Sequence, residues 1–102
     1  MTDKIYRYEL DLRTADDDGW ITIHACYGIV MEVGAQGDNR SPQVWMRVVP
    51  TQRELRRFKV VPTGGDYPDD LQYLGTVVAC RGTLVWHVFQ DGDAEADVED
   101  RG

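Results

Sequence analysis

The feature that most constrains this chain is a two-residue hydrophobic alternation that recurs along most of its length. Tyr6, Tyr8, Leu10 and Leu12 alternate with Arg7, Glu9 and Asp11. Successive side chains of an extended strand point to opposite faces, so this spacing predicts a strand with one face buried and the other in water. Ile21, Ile23 and Ala25 alternate with Trp20, Thr22 and His24 in the same way. After a break at Tyr27-Gly28, Ile29, Met31 and Val33 alternate with Val30 and Glu32 as a third strand.

Turn chemistry punctuates the rest. Asp16, Asp17 and Asp18 lack the later glutamate of a calcium loop and read as a solvated turn. Gly37-Asp38-Asn39 is a hairpin loop between the third strand and a fourth at 44–49, which Pro50 ends. Thr51 with Glu54 three residues on is a capping-box pattern and predicts one helical turn through Arg57. A fifth short strand at 58–61 is closed by Pro62, and Thr63-Gly64-Gly65-Asp66 reads as a tight loop. Pro68 ahead of Asp69, Asp70 and Leu71 suggests another single turn. The segments 73–79 and 83–90 form a hairpin around Cys80-Arg81-Gly82, with Gly75 marking a bulge or a close contact. Both faces of the last segment are apolar, which predicts a central strand and a packed His87. The fold class expected is mainly β: one small curled antiparallel or mixed sheet, barrel- or sandwich-like, of about six or seven short strands with one or two helical turns.

The 102 residues suffice for one domain, which we place at 1–90. Residues 91–102 hold six acids against Arg101 and only Ala94, Ala96 and Val98 as apolar members, the composition of a disordered acidic segment. Much of the net charge of -7 sits there. No apolar run approaches the roughly 20 residues that span a bilayer, and the opening Met1-Thr2-Asp3-Lys4 is not a secretory signal, so a soluble cytoplasmic protein is expected.

Chemistry-bearing residues are sparse. Cys26 and Cys80 form no C-x-x-C pair, and with His24 and His87 they lack the spacing of a closed zinc site, so neither metal nor cofactor is expected. Ser41, the only serine, precedes Pro42 in a loop, and no nucleophile elbow is present. We assign no catalytic residue.

The strongest local signal is charge. Over 47–65, Arg47, Arg53, Arg56, Arg57 and Lys59 face only Glu54, in an otherwise acidic chain. Arg57 and Lys59 on one strand face would flank Thr63-Gly64-Gly65, whose unhindered backbone N–H groups and hydroxyl suit a phosphate oxygen. The candidate ligand-binding residues are therefore Arg53, Arg56, Arg57, Lys59, Thr63, Gly64 and Gly65. A duplex nucleic acid is disfavoured, because no recognition helix is available and the acidic segment opposes it.

The order Lys4-Ile5-Tyr6-Arg7-Tyr8-Glu9-Leu10, Arg56-Arg57-Phe58, Thr63-Gly64, Leu74-Gly75-Thr76 and Val85-Trp86-His87-Val88-Phe89 resembles an uncharacterised family of short phage and bacterial proteins. The resemblance covers roughly 4–90. It implies a phage or prophage origin, hence the cytoplasm of an infected bacterial host, and no particular activity. The expected function is a phage-encoded, non-catalytic binding protein that antagonises host defence by sequestering an anionic nucleotide-like ligand. Alternatives are an inhibitor or adaptor that blocks a host protein and, third, a small enzyme acting on a phosphorylated substrate through His87. The expected partners are an anionic small molecule or a host protein, with no membrane, and a homodimer through a sheet edge.

Overall fold

A computed structural model describes residues 3–36 and 40–91. Five strands form one antiparallel, unclosed sheet: β1 (Lys4–Glu9), β2 (Trp20–Gly34), β3 (Gln43–Pro62), β4 (Gln72–Ala79) and β5 (Leu84–Gln90). Two single 3-10 turns, Leu12–Thr14 and Cys80–Gly82, complete the described elements. The mainly β fold class expected from the alternation is the one observed.

Five strands replace the six or seven expected, because two breaks read from the sequence are bulges inside continuous strands. β2 runs through Tyr27-Gly28, and β3 runs through Pro50. Cys26 pairs with Arg53 while Tyr27 pairs with Val49, so Pro50, Thr51 and Gln52 are extra residues on β3. A proline is tolerated at such a bulge because its missing N–H interrupts no ladder bond there. The helical turn expected at 51–57 does not form. Residues 53–57 pair instead with Cys26 to Thr22, and Glu54, the expected capping acid, makes an ion pair with Arg56.

Three extra residues on one strand of a pair force a change of face on the other. β3 keeps its even positions inward, with Val44, Met46, Val48 and Phe58 all buried. β2 therefore switches, from Ile21 and Ala25 inward to Cys26 inward, with Val30 packed against the same core. The consecutive burial of Ala25 and Cys26 marks the crossing. Ile29, opposite Arg47, consequently faces water, and Met31, passed over at a second register shift between Val30 and Glu32, is exposed as well.

β3 is the spine of the sheet. β2 lies along one edge of it, while β1 pairs with 43–48 and β5 with 58–62 on the other. β4 pairs with β5 and curls back towards β2, where Gly75 abuts Val33 at the expected bulge. The Cys80–Gly82 hairpin turn has Gly82 at φ +92, in the left-handed region that glycine adopts most cheaply.

The first strand ends at Glu9, short of Leu12. Leu10 is buried and donates its N–H to Pro42 O at 2.9 Å, and Asp11 caps the first 3-10 turn. Asp16 Oδ1 accepts from Asp18 and Trp20 N–H at 2.9 and 3.0 Å, so the three aspartates do form a turn. The turn at 68–71 is closed by Leu71 N–H donating to Pro68 O at 3.4 Å. The expected loop at Gly37-Asp38-Asn39 and the acidic segment beyond Asp91 lie outside the described residues. Among the described residues no helix is long and apolar enough to cross a membrane.

Candidate functional site

Alternation along β3 divides the basic residues between two faces. Odd positions point outward, so Arg53, Arg57 and Lys59 share the solvent face, while Arg56 lies on the inner side with Phe58. Arg56 therefore leaves the expected cluster. Its guanidinium donates to Gly28 O and to Gln90 Oε1 and pairs with Glu54 at 3.0 Å. Its side chain is only 14% exposed, and it ties three strands together from within.

On the outer face, Lys59 pairs across the ladder with Trp20, and Arg57 with Thr22. The Arg57 Cζ lies 4.2 Å from the Trp20 ring centroid and Lys59 Nζ lies 5.5 Å from it. Both cations thus sit within reach of one indole, whose electron-rich face attracts them. Lys59 Nζ also donates to Asp18 O, and Arg57 Nη2 meets Asp91 Oδ2 at 3.0 Å. Arg57 remains 47% exposed at its side chain, enough for a solvent-borne anion to compete.

The loop after β3 contributes less than its sequence suggested. Gly65 N–H donates to Pro62 O at 2.9 Å, so that amide closes its own turn instead of facing a ligand. Thr63 Oγ1 is hydrogen-bonded to His87 Nε2 at 2.9 Å. Gly64, at φ +91, has open space around its Cα.

Several residues of this face were not among the ligand-binding residues expected from the sequence. Phe89 pairs with Lys59 on one side and Tyr73 on the other, which makes a row Trp20, Lys59, Phe89, Tyr73 across four strands. Tyr67 stacks on Phe89 with ring centroids 4.3 Å apart, and Tyr67 and Tyr73 are about half exposed. His87 pairs with Thr76, whose hydroxyl reaches His87 Nδ1 at 3.1 Å and is itself hydrogen-bonded by the Tyr73 phenol. Both ring nitrogens of His87 are thereby engaged by threonine hydroxyls. The only local signal for this would have been Thr76 and His87 at matched distances from the hairpin turn.

Apart from this face, an open cavity of about 460 Å³ is lined by Glu9, Asp11, Leu12, Arg13, Arg40 and Trp86, with Ser41 at its wall. Trp86 Nε1 donates to Arg40 O at 3.0 Å, which holds the indole at the cavity wall. Its charges balance: hydrogen bonds from Arg13 hold the Asp11 carboxyl below the usual carboxylate range, and the same pair raises the guanidinium. Two further groups are perturbed. The Trp20 N–H holds the Asp16 carboxyl below its usual value, and burial pushes the Tyr8 phenol up while it accepts the Cys26 N–H at 2.9 Å. Cys26 and Cys80 are free thiols, and among the described residues no three His, Cys, Asp or Glu side chains converge in a way that could hold a metal ion.

A family model described as a domain of unknown function, DUF7352, matches residues 1–98. The chain belongs to this family. No curated protein and no solved structure matches it. The DUF7352 match spans all five strands, so both the basic outer face and the cavity at Trp86 lie within it.

Proposed function

We propose that this DUF7352 protein is a non-catalytic binding protein that takes an anionic, nucleotide-like ligand on the outer face of its sheet. The observation that carries the reading is the shared indole of Trp20, over which Arg57 and Lys59 both lie, beside the exposed rings of Tyr67 and Tyr73. Cations arrayed beside exposed aromatics suit a ligand that has both a phosphate and a flat base. Arg57 and Lys59 hold the phosphate, Arg53 extends the positive face, and Tyr67 and Tyr73 offer stacking surfaces. In the phage setting implied by the sequence resemblance, the protein acts in the host cytoplasm and withdraws a nucleotide signal from host defence.

Thermal shift and native mass spectrometry against cyclic and linear nucleotides test the ligand. Binding is expected, and Arg57→Ala weakens it. A flat response across the panel overturns the reading.

A second reading rests on a different surface. Ile5 and Ile29 pair with Arg47 from either side on the outward face, 61% and 46% exposed, with Met31 beyond them at 55%. Such an apolar row fits an inhibitor that blocks a host protein. Affinity capture from host lysate should return a stoichiometric partner that Ile29→Asp loses, and loss of neither partner nor stoichiometry in that variant would remove this version.

A further inference from the structure

Among the described residues, β1, β2 and β4 each have a single hydrogen-bonded neighbour in the sheet. Bulges twist an edge away from foreign strands, and two of these three carry them. The ladder of β2 shifts at Cys26/Tyr27 and at Val30/Glu32, and that of β4 shifts at Tyr73/Gly75. β1 has no such guard: Lys4 to Glu9 pair with Val48 to Gln43 in one unbroken register. It is the edge best suited to accept another strand.

One hydrogen bond fixes the direction of its free backbone groups. Leu10 N–H donates to Pro42 O at 2.9 Å, and Pro42 is the residue opposite Leu10 when the register is carried one step past Glu9 and Gln43. Hydrogen-bonded and non-hydrogen-bonded pairs alternate along an antiparallel ladder, so Lys4, Tyr6 and Tyr8 direct their N–H and C=O groups at β3. Ile5, Arg7 and Glu9 direct theirs the other way, to the open edge. The side chains of these three are exposed on the outward face, opposite Arg47, Trp45 and Gln43. Among the described residues Arg7 takes part in no ion pair.

Two copies of this edge complement each other in one register. A two-fold axis through Tyr8 sets Arg7 opposite Glu9 of the second copy and Glu9 opposite its Arg7, so both opposite-charge pairs form together. Every residue in those pairs has its backbone groups on the open edge, so each pair exchanges both N–H···O bonds. Moving the axis to Arg7 or to Glu9 sets that residue opposite its own like charge, and moving it to Tyr6 sets Asp3 opposite Glu9. Like charges directly opposite each other destabilise a ladder.

We infer that β1 is a self-association edge: two copies of this chain pair antiparallel about Tyr8, through Arg7 and Glu9, and join their sheets into one. The contact is isologous and therefore closes as a dimer. It is also short, which makes the dimer a weak one that forms as concentration rises. The inference is independent of the ligand reading, since Trp20, Arg57 and Lys59 lie on β2 and β3 and take no part in the pairing.

Sedimentation velocity of the full chain over a concentration series, with amide hydrogen exchange followed by NMR on the same samples, tests it. The parent should pass from monomer to dimer, and the amides of Arg7 and Glu9 should gain protection in step, while those of Tyr6 and Tyr8 stay protected throughout. Arg7→Glu and Glu9→Arg each set like charges opposite each other in both pairs, and each alone should weaken the dimer at least about ten-fold. Mixed in equal amounts, the two variants should dimerise as the parent does, because each offers the charge that the other lacks. That recovery also shows that both still fold. A parent that stays monomeric into the millimolar range, a dimer that both variants leave intact, or variants that fail to recover on mixing would overturn the proposal. Arg7 and Glu9 amides protected equally at every dilution would overturn it as well, in favour of an occupant from within the chain.

Discussion

Arg56 and Arg57 are neighbours in the chain and lie on opposite faces of β3: one is anchored to Gly28 O, Glu54 and Gln90, and the other lies over the indole of Trp20 and reaches Asp91. Adjacent strand residues must diverge, so only one of two consecutive arginines can serve a surface site. The other has become part of the scaffold that holds β2, β3 and β5 in register.

The two arginines should therefore respond differently to truncation. Arg56→Ala leaves Glu54 and two acceptors without their partner in a largely buried setting, and should lower stability by roughly 1–3 kcal/mol in urea unfolding. Arg57→Ala should cost less than about 1 kcal/mol, because its pair with Asp91 is screened by solvent. It should nonetheless abolish most of a nucleotide-induced thermal shift. Equal loss of stability in the two variants would contradict this division.

Tyr8 secures the point where β2 changes face. Its phenol accepts the Cys26 N–H at 2.9 Å, at the bulge where the ladder leaves that amide without a regular strand partner. Tyr8→Phe strands a partly buried donor, and chemical denaturation should register a loss of about 1–3 kcal/mol. A neutral result would mean that water replaces the phenol.

Glycine positions offer a sharper contrast. A Cβ at Gly28 would sit 2.1 Å from Arg47 O and 2.8 Å from Val48 Cα, both backbone atoms that cannot step aside. Gly28→Ala should cost about 3 kcal/mol or more, or prevent folding. At Gly64 nothing lies within 4 Å, and only the φ of +91 opposes a side chain, so Gly64→Ala should cost roughly 1–2 kcal/mol. Thermal melting of both variants checks the order.

Acid sensitivity should localise to the turn before β2. The Trp20 N–H holds the Asp16 carboxyl below its ordinary value of 3.8, with Lys59 and Arg57 adding to the effect. A depressed folded pKa means that the stabilisation is complete above the unfolded value and fades as pH falls through the folded one. Stability should thus decline below about pH 4, and Asp16→Asn, whose amide oxygen still accepts both N–H groups, should flatten that decline. An unchanged pH profile in Asp16→Asn would place the acid sensitivity elsewhere.

Much of the fold was legible. Tyr6, Tyr8 and Leu10 on one face, Ile21 and Ala25 on one face, and the hairpin through Cys80-Arg81-Gly82 were all readable from spacing and turn residues. Pro50 and the Thr51 to Glu54 capping pattern misled because a bulge tolerates a proline, and cross-strand pairing with β2 outweighs a weak local helical preference. Spacing could not say which face of β2 beyond Tyr27 is buried, because that phase depends on three residues inserted in a different strand.

The candidate site divides along the same line. The charge of β3 and the alternation that sends Arg53, Arg57 and Lys59 to one side are properties of consecutive residues, and the sequence alone determines them. Which aromatic ring those cations cover, which amide of the 63–65 loop is consumed by its own turn, and which edge is left open depend on residues dozens of positions away. Periodicity is local and sets the direction of each side chain relative to its neighbours, whereas register and bulges are set only when two distant strands pair. That pairing brought Trp20 beneath Arg57.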